Sequence, residues 1–362
     1  MARRRQAVTI KHVAADAGVS LQTVSRVINR EINVRPEMKK RVQASIDKLG
    51  YVPSIAAQRM SGSHSYLILA LNDRERTIAD WRAREGTDWV DQMLMGGMLE
   101  CAKHGYRLIF ELVDTHSDHV ERELQGCIAA LQPDGVILTP PHSDNPQITE
   151  LLLREKIPFA QIGSTGGSGG IALIMGDEGA ARTATRHLLD LGHQRIGFIK
   201  GAADYKLSEW RAAGWEAEMQ EADLPVDGLC AQGDFTYDSG LVAARQLLAL
   251  DPRPTAIIAS SDHMTKATVD VARELGLEVP QDLSVISFDN TPMTLFTSPA
   301  LTAIDQPIAE TTALAVELIV AAQRGQDLPE GPTTVAAKLI ERDSTAPPRE
   351  RQGTRRAVAA NQ

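Results

Sequence analysis

Three side chains near the N-terminus are of the types that read base pairs in DNA. Leu21, Gln22 and Arg26 fall within two turns of a predicted helix. Glutamine pairs with the edge of adenine and arginine with that of guanine, so this spacing suits the major groove. Nearby hydroxyl and amide side chains suit phosphate oxygens, or alternatively only cap and solvate helices; they are Thr9, Ser20, Thr23, Ser25 and Asn29.

The elements that would position these side chains are three short helices. Apolar residues recur every three or four positions in the runs 10–17, 24–28 and 42–49. Gly18 ends the first run, Ser20 caps the second, and Pro36 and Gly50 bound the third. Two short helices joined by a Gly-containing turn are typical of a helix-turn-helix. The sequence therefore predicts a small all-α DNA-binding domain over residues 1–50.

A second group of polar side chains follows predicted strands much later in the chain. Asp289 directly follows one strand, Asp262 follows another, and Arg211 lies in the turn and helix after a third. Ligands of open α/β sheets lie outside the carboxyl ends of the strands. An Arg donor opposite an Asp acceptor suits the vicinal hydroxyls of a sugar, because each hydroxyl both donates and accepts. The alternative is a salt bridge between two subdomains.

The body of the chain alternates β-rich runs with amphipathic helical runs that end at glycine. The predicted strands are 66–71, 107–113, 135–139, 159–163, 195–200, 256–260 and 285–288, and the clearest helices are 93–104, 180–191 and 264–275. Such alternation favours parallel sheets covered by helices on both faces. Because about 280 residues exceed one ordinary domain, two such subdomains are expected.

Charge is divided unequally along the chain. Residues 1–62 hold twelve Lys and Arg against four Asp and Glu, whereas the whole chain has a net charge of −9. A basic segment joined to an acidic body is typical of a polyanion-binding module fused to another domain. No apolar run approaches a membrane span and no signal peptide is evident, so a cytoplasmic location is expected. The three cysteines are widely spaced, which favours free thiols.

The run from Thr9 to Asn29 resembles the DNA-binding domain of the lactose/galactose-repressor family of bacterial regulators. The matching residues are TIKHVAADAGVSLQTVSRVIN, against the family's usual T-I-x-D-V-A-x-x-A-G-V-S-x-x-T-V-S-R-V-L-N. The chain departs from it at His12, where the family usually has Asp, and at Leu21, one of the variable positions that set operator choice. The operator sequence therefore cannot be transferred.

Residues 51–64 resemble the same family's hinge, which folds into a short helix on the operator. In that family a leucine wedges between base pairs from the minor groove, and Met60 occupies its place here. Methionine is an accepted wedge residue. The resemblance also implies that Ala57 lies at the DNA. The alternative for this segment is a flexible linker.

Three motifs of the body, 176–181, 187–199 and 283–289, resemble the family's sensor domain. They imply an α/β body like type I periplasmic binding proteins, with two doubly wound lobes and a ligand in the cleft between them. Lobe 1 is expected over 65–190 plus 308–325, lobe 2 over 191–306 plus 326–344, and a disordered tail over 345–362. The ligand-contacting residues expected from strand ends and resemblance are Trp89, Asp177, Arg211, Phe235, Ser261, Asp262, Asp289 and Gln306.

The sequence gives little support for other kinds of functional site. The glycine-rich run 163–170 lacks the ending of a phosphate-binding loop, and no nucleophile elbow or triad spacing is evident. Neither an enzyme nor a metal or cofactor is expected. The predicted function is a homodimeric repressor of carbohydrate-utilisation genes, which binds a near-palindromic operator and is released by a sugar effector. The alternative, a solute-binding protein of transport, leaves the basic N-terminal segment unexplained.

Overall fold

The chain divides into two compact units, a head of residues 1–66 and a body of residues 67–362. A computed structural model describes residues 8–28, 33–51, 64–115 and 119–349. Three predicted DNA contacts, Asn29, Ala57 and Met60, lie outside the described residues. Among the helices described, none is long and apolar enough to cross a membrane.

The described part of the head contains the three predicted helices. They are α1 (Ile10–Ala17), α2 (Leu21–Ile28) and α3 (Pro36–Leu49). Gly18 and Gly50 end α1 and α3 in the left-handed conformation, with φ of 61° and 59°, which glycine adopts without a steric penalty. The three helices share one small apolar core around Val13, Val24 and Val42, all fully buried. The helix-turn-helix prediction is confirmed.

The described part of the body contains twelve strands and nine longer helices, together with the short helix α12 (Met293–Phe296) and one turn of 3₁₀ helix at His142–Asp144. The longer helices are α4 (Arg74–Ala83), α5 (Thr87–His104), α6 (Val120–Leu131), α7 (Pro146–Arg154), α8 (Asp177–Asp190), α9 (Lys206–Glu221), α10 (Tyr237–Leu248), α11 (Asp262–Glu274) and α13 (Ile308–Gln323).

The strands form two six-stranded sheets. Sheet 1 has the order β11-β5-β4-β3-β1-β2 and consists of β1 (Leu67–Asp73), β2 (Arg107–Val113), β3 (Gly135–Leu138), β4 (Phe159–Ile162), β5 (Ile171–Ile174) and β11 (Thr333–Thr334). Sheet 2 has the order β12-β10-β9-β8-β6-β7 and consists of β6 (Ile196–Lys200), β7 (Cys230–Gln232), β8 (Ala256–Ala259), β9 (Ser284–Asp289), β10 (Thr302–Asp305) and β12 (Lys338–Ile340). All pairings are parallel except that of β10 with β12.

The predicted lobe boundary at residue 190 is wrong. Ala184 and Leu188 of α8 lie in the same buried cluster as Phe198 of β6 and Trp215 of α9, so α8 belongs to the second lobe. The chain therefore crosses near Gly176, whose φ of 69° turns it into α8. The boundary at 326 is also wrong, because β11 pairs with β5 of sheet 1.

The expected tail begins too early. Ala346 accepts a hydrogen bond from His193 Nε2 at 2.9 Å and donates one from its backbone to Ser284 Oγ at 3.0 Å. Arg349 pairs with Asp282 at 2.8 Å and with Glu278 at 3.1 Å. Residues 345–349 are thus packed on the second lobe, and only the stretch from 350 onward lies outside the described residues.

Candidate functional site

In the head, α2 presents three polar or exposed side chains opposite its buried face. Val24 is fully buried, whereas Leu21 is 45% exposed and Gln22 and Arg26 are also exposed. Residues one, two and six positions into a helix share the side that a major groove would meet. The structure brings together the three residues predicted to read bases.

Some of the predicted phosphate contacts also serve as helix caps. Ser20 Oγ accepts a hydrogen bond from the backbone N–H of Thr23 at 3.1 Å and lies 2.9 Å from Thr23 Oγ1. Thr9 precedes α1, and its backbone N–H donates to His12 Nδ1 at 3.0 Å. An Asp at position 12 would accept the same bond, so an imidazole nitrogen replaces the carboxylate oxygen that the family usually places there.

Asp16 holds α3 against α1. Its carboxylate accepts hydrogen bonds from Ser45 Oγ at 2.6 Å and from Lys48 Nζ at 2.7 Å. The Lys48 contact, followed by that from Ser45, lowers the pKa of Asp16 below its usual value. This polar bridge stabilises the arrangement that places α2 on the outside of the head.

In the body, a cleft with about 890 Å³ of empty space, partly open to solvent, lies between the two lobes. Its lining from the first lobe is Asn72, Asp73, Arg76, Thr77, Asp80, Glu85, Gly86, Trp89, Val90, Thr139 and Pro140. Its lining from the second lobe is Tyr205, Leu207, Arg211, Phe235, Thr236, Ser261, His263, Asp289 and Gln306. Six of the eight predicted ligand residues therefore line one cleft.

The other two predicted ligand residues, Asp177 and Asp262, lie beneath the lining. Asp177 is the first residue of α8, and its Oδ1 accepts hydrogen bonds from Arg211 Nε at 2.8 Å and Gln306 Nε2 at 3.1 Å. Arg211 also donates to the carbonyl of Ser260 at 2.8 Å. Side-chain exposure is 3% for Arg211 and 0% for Asp177, so the pair is desolvated. Asp177 acts by holding two residues that do face the cleft.

Asp262 and Asp289 form a second acidic pair, in which Asp262 is buried and Asp289 is half-buried at the cleft. Asp262 accepts hydrogen bonds from Thr291 N at 2.6 Å and from Ser287 Oγ. Burial, and then the charge of Asp289, raise the pKa of Asp262 to about 7. Burial also raises the pKa of Asp289 to about 6, against the opposing effect of Arg211. A φ of 94° at Asp289 places this non-glycine residue in a sparsely populated region, which is typical of functional sites.

Three aromatic side chains line the cleft. Phe235 has a φ of 76°, and its ring meets the edge of Tyr205 at 5.6 Å between centroids. The guanidinium of Arg76 lies 5.5 Å from the Phe235 centroid. Trp89 faces the cleft from α5 in the other lobe. Flat apolar surfaces with a few polar groups are the usual composition of a small-molecule site.

Ser261 lines the cleft, but its hydroxyl already has two partners. It donates to the carbonyl of Phe235 at 2.9 Å and accepts from Met264 N at 3.2 Å as the N-cap of α11. Ser261 therefore contributes to the cleft by fixing the backbone of Phe235 as much as by direct contact with a ligand.

The sequence places the charged segment 72–87 at the border of the cleft, but it did not predict that this segment contains the helix α4. Asp73 caps this helix by accepting from Arg76 N at 2.8 Å, and Arg76, Thr77 and Asp80 face the cleft. The turn after α4 reaches the second lobe, where Glu85 Oε2 accepts from Tyr237 N at 3.3 Å. The sequence feature that could have pointed to these cleft residues is the high density of charged residues between 73 and 85, but charge density does not predict a helix.

Comparisons with known proteins identify relatives for both the head and the body. Residues 9–54 match the model of bacterial regulatory proteins of the lacI family, and residues 185–345 match that of periplasmic binding protein-like domains. Catabolite control protein A of Priestia megaterium is 31% identical over 86% of this chain and 91% of its own length. The HTH-type transcriptional repressor CytR of Escherichia coli K12 is 30% identical over 95% and 98%. The solved complex of the transcriptional regulator CelR with cellobiose has a TM-score of 0.70 and 28% identity, covering 93% of this chain and 99% of that one.

Proposed function

Because the chain belongs to the lacI family of bacterial regulatory proteins, we propose that it is a homodimeric repressor released from DNA by a small polar metabolite. In this proposal two heads bind the half-sites of a near-palindromic operator in the cytoplasm, and a sugar or sugar derivative binds the cleft of the body. The regulated genes would serve carbohydrate utilisation. The observation that carries the proposal is the pairing of an exposed reading face on α2 with a cleft lined from both lobes.

DNA recognition rests on the face of α2. Gln22 and Arg26 carry the donor and acceptor groups that distinguish adenine and guanine in the major groove, and Leu21 adds an apolar contact. Thr9, Ser20, Thr23 and Ser25 lie around this face and would contact phosphates, which set the register without reading sequence. The hinge of residues 51–64, with Ala57 and Met60, would add the minor-groove contact.

A sugar is the ligand class that the cleft composition favours. Trp89 and Phe235 supply flat apolar surfaces, while Arg211, Asp289 and Gln306 supply donors and acceptors. Hydroxyl groups use both kinds of partner at once. Among the relatives, the CelR structure contains cellobiose, which supports a carbohydrate without identifying the one bound here.

Self-association is supported by exposed apolar side chains. Met95, Met98 and Leu99 lie three and four positions apart on α5 and are 47%, 57% and 62% exposed. Phe296 of α12 is 86% exposed. Contiguous exposed apolar groups mark interaction surfaces, and a second copy of the chain is the partner that a two-fold symmetric operator requires.

Control of DNA binding would follow from unequal affinity of the ligand for two arrangements of the lobes. A ligand shifts an equilibrium only by its differential affinity for the two states. Ligand binding would favour the arrangement in which the hinge of residues 51–64 does not form its helix on the operator. Operator affinity would then fall as the ligand concentration rises.

The DNA part is tested by selecting duplexes from a random library with the full-length protein, then measuring the variant Arg26→Ala on the selected site. We expect Arg26→Ala to lose sequence preference while keeping salt-dependent, non-specific binding, because phosphate contacts remain. Lys40→Ala removes one exposed charge from α3 and serves as the control, with its preference retained. Equal preference in the two variants would contradict the assigned reading face.

The cleft is tested with Asp289→Asn, which keeps the shape of the side chain and removes its charge. We expect operator affinity within about twofold of the wild type, and loss of the response to any metabolite that releases the wild-type protein from DNA. Asp190→Asn, on the exposed end of α8, is the matched control. An unchanged response in Asp289→Asn would place the ligand elsewhere.

A further inference from the structure

Both guanidinium groups at the cleft are already paired with carboxylates. Arg211 bonds to Asp177 at 2.8 Å and lies 4.5 Å from the centroid of the Phe288 ring. Arg76 pairs with Asp80 one helical turn away, at 3.3 Å, and covers the ring of Phe235. Neither arginine offers an unneutralised positive charge to a ligand.

Carboxylates at the cleft outnumber these cations. Asp73, Asp80, Glu85 and Asp289 all belong to the lining, and Asp177 lies directly behind it. Burial raises the pKa of both Asp80 and Asp289, and the remaining basic side chain, His263, lies close enough to oppose part of that rise in each. The lining is therefore acidic once its ion pairs are counted, and three of its acids come from α4 and the residues flanking it.

Asp289 stands apart from the other acids. Asp73 accepts bonds from Arg76 N and Thr115 Oγ1, and Glu85 accepts one from Tyr237 N. Within the described part of the chain, no hydrogen bond to the Asp289 carboxylate is found, and this half-buried side chain lines the cleft. A half-buried carboxylate without a hydrogen-bond partner is stabilised by a ligand that donates hydrogen bonds, whereas an anionic ligand would be repelled by it.

On the basis of the proposed effector cleft, we infer that its ligand presents hydroxyl or ammonium donors and carries no negative charge, so that phosphorylated and carboxylated sugars are excluded. The acids of the α4 segment extend this selectivity over the first-lobe wall, opposite Asp289 on the second lobe. At about 6 Å from one unpaired carboxylate, with an effective dielectric constant near 20, an anion is disfavoured about 100-fold.

The inference is tested by thermal shift and by release from the selected operator, using the full-length protein. The probes are common mono- and disaccharides, each with its amino, phosphorylated and carboxylated counterparts; glucose, glucosamine, glucose 6-phosphate, cellobiose and cellobionate are five of them. We expect the active compounds to be uncharged or amino sugars, with anionic counterparts at least about 100-fold weaker. Comparison of glucose with glucosamine distinguishes hydroxyl donors from ammonium donors.

A variant links the selectivity to α4. Asp80→Asn releases Arg76 from its ion pair, so the anionic counterpart of an active compound should gain about tenfold or more relative to the uncharged one. Glu274→Gln breaks the exposed pair with Arg245 far from the cleft lining and should leave this ratio unchanged. An unchanged ratio in Asp80→Asn would overturn the role given to α4.

The outcomes separate the two levels of the proposal. The charge selectivity is overturned if a phosphorylated or carboxylated sugar releases the wild-type protein from DNA more strongly than its uncharged parent does. If that release is lost in Asp289→Asn, the effector cleft is nevertheless supported. A panel in which no compound of any charge shifts the melting midpoint or releases DNA overturns the effector cleft itself.

Discussion

The buried pair of Arg211 and Asp177 is the contact on which the cleft most depends. Substituting Asp177→Asn keeps the size of the side chain and one acceptor oxygen but removes its charge. Arg211, whose side chain is 3% exposed, then keeps its bond to the Ser260 carbonyl but has no carboxylate bonded to it, and its weaker interaction with the charge of Asp289 remains. Gln306 also loses its charged acceptor. The substitution should therefore destabilise the body and displace two cleft residues together.

The magnitude follows from the burial of both partners. Removing one member of a buried ion pair costs about 3–5 kcal/mol, because the other charge is left uncompensated in a low-dielectric site. The oxygen that Asn retains still accepts a hydrogen bond, which favours the lower end of that range. At roughly 2–4 °C per kcal/mol for a domain of this size, the melting midpoint should fall by about 6–12 °C.

Tryptophan fluorescence isolates the unfolding of the body. The four tryptophans, Trp81, Trp89, Trp210 and Trp215, all lie in the body and none in the head. Thermal and urea midpoints are compared between Asp177→Asn, wild type and Asp190→Asn, whose exposed side chain on the same helix should move stability by less than about 0.5 kcal/mol. The double variant Asp177→Asn/Arg211→Gln restores a neutral pair and should regain part of the loss.

A midpoint for Asp177→Asn within about 1 °C of the wild type would refute this reasoning, because it would mean that the pair is solvated in solution. A double variant no more stable than Asp177→Asn alone would also contradict it. In that case the loss would come from packing around position 177 and not from an uncompensated arginine.

Two further predictions concern packing and protonation. Gly96→Ala on α5 should lower the free energy of unfolding by about 1–3 kcal/mol, because its new Cβ would lie 2.0 Å from the Ala309 carbonyl oxygen of α13. Gly126→Ala on α6 meets open space and should raise the free energy of unfolding by about 0.5–1 kcal/mol. Equal effects of the two substitutions in urea melts would contradict the close contact between α5 and α13. Since burial raises the pKa of Asp262 to about 7, the folded chain holds a proton that the unfolded chain releases, and the associated stability is complete below pH 4 and lost as pH rises through 7. Asp262→Asn cannot ionise, so its stability relative to the wild type should increase between pH 5 and pH 8, and melting curves showing the opposite trend would contradict the raised pKa.

Local signals made the head and the strand ends predictable. Gly18, Ser20 and Pro36 each act within a single turn of the chain, so their roles can be read without tertiary information. The apolar spacing of Val24 likewise fixed the inward face of α2 and hence the exposure of Gln22. Arg211 and Asp289 were found because strand ends of a parallel sheet converge on one edge.

Features set by tertiary packing were not predictable in the same way. Of α4 only Thr77 is buried, so this helix has no apolar stripe for a periodicity argument to detect. Asp177 and Asp262 are the same residue type as Asp289, and nothing local distinguishes a carboxylate beneath the lining from one at its surface. The crossing at Gly176 escaped notice because Gly192, at the end of α8, is an equally strong break.

The late position of β12 has a consequence for synthesis on the ribosome. Sheet 2 lacks its edge strand until residues Lys338–Ile340 are made, and sheet 1 lacks β11 until Thr333–Thr334. The head is complete by residue 51 in its described part, and translating the next 290 residues at about 5–20 per second takes on the order of 15–60 s. Each nascent chain thus carries a finished DNA-binding fold well before either lobe of its sensor is complete.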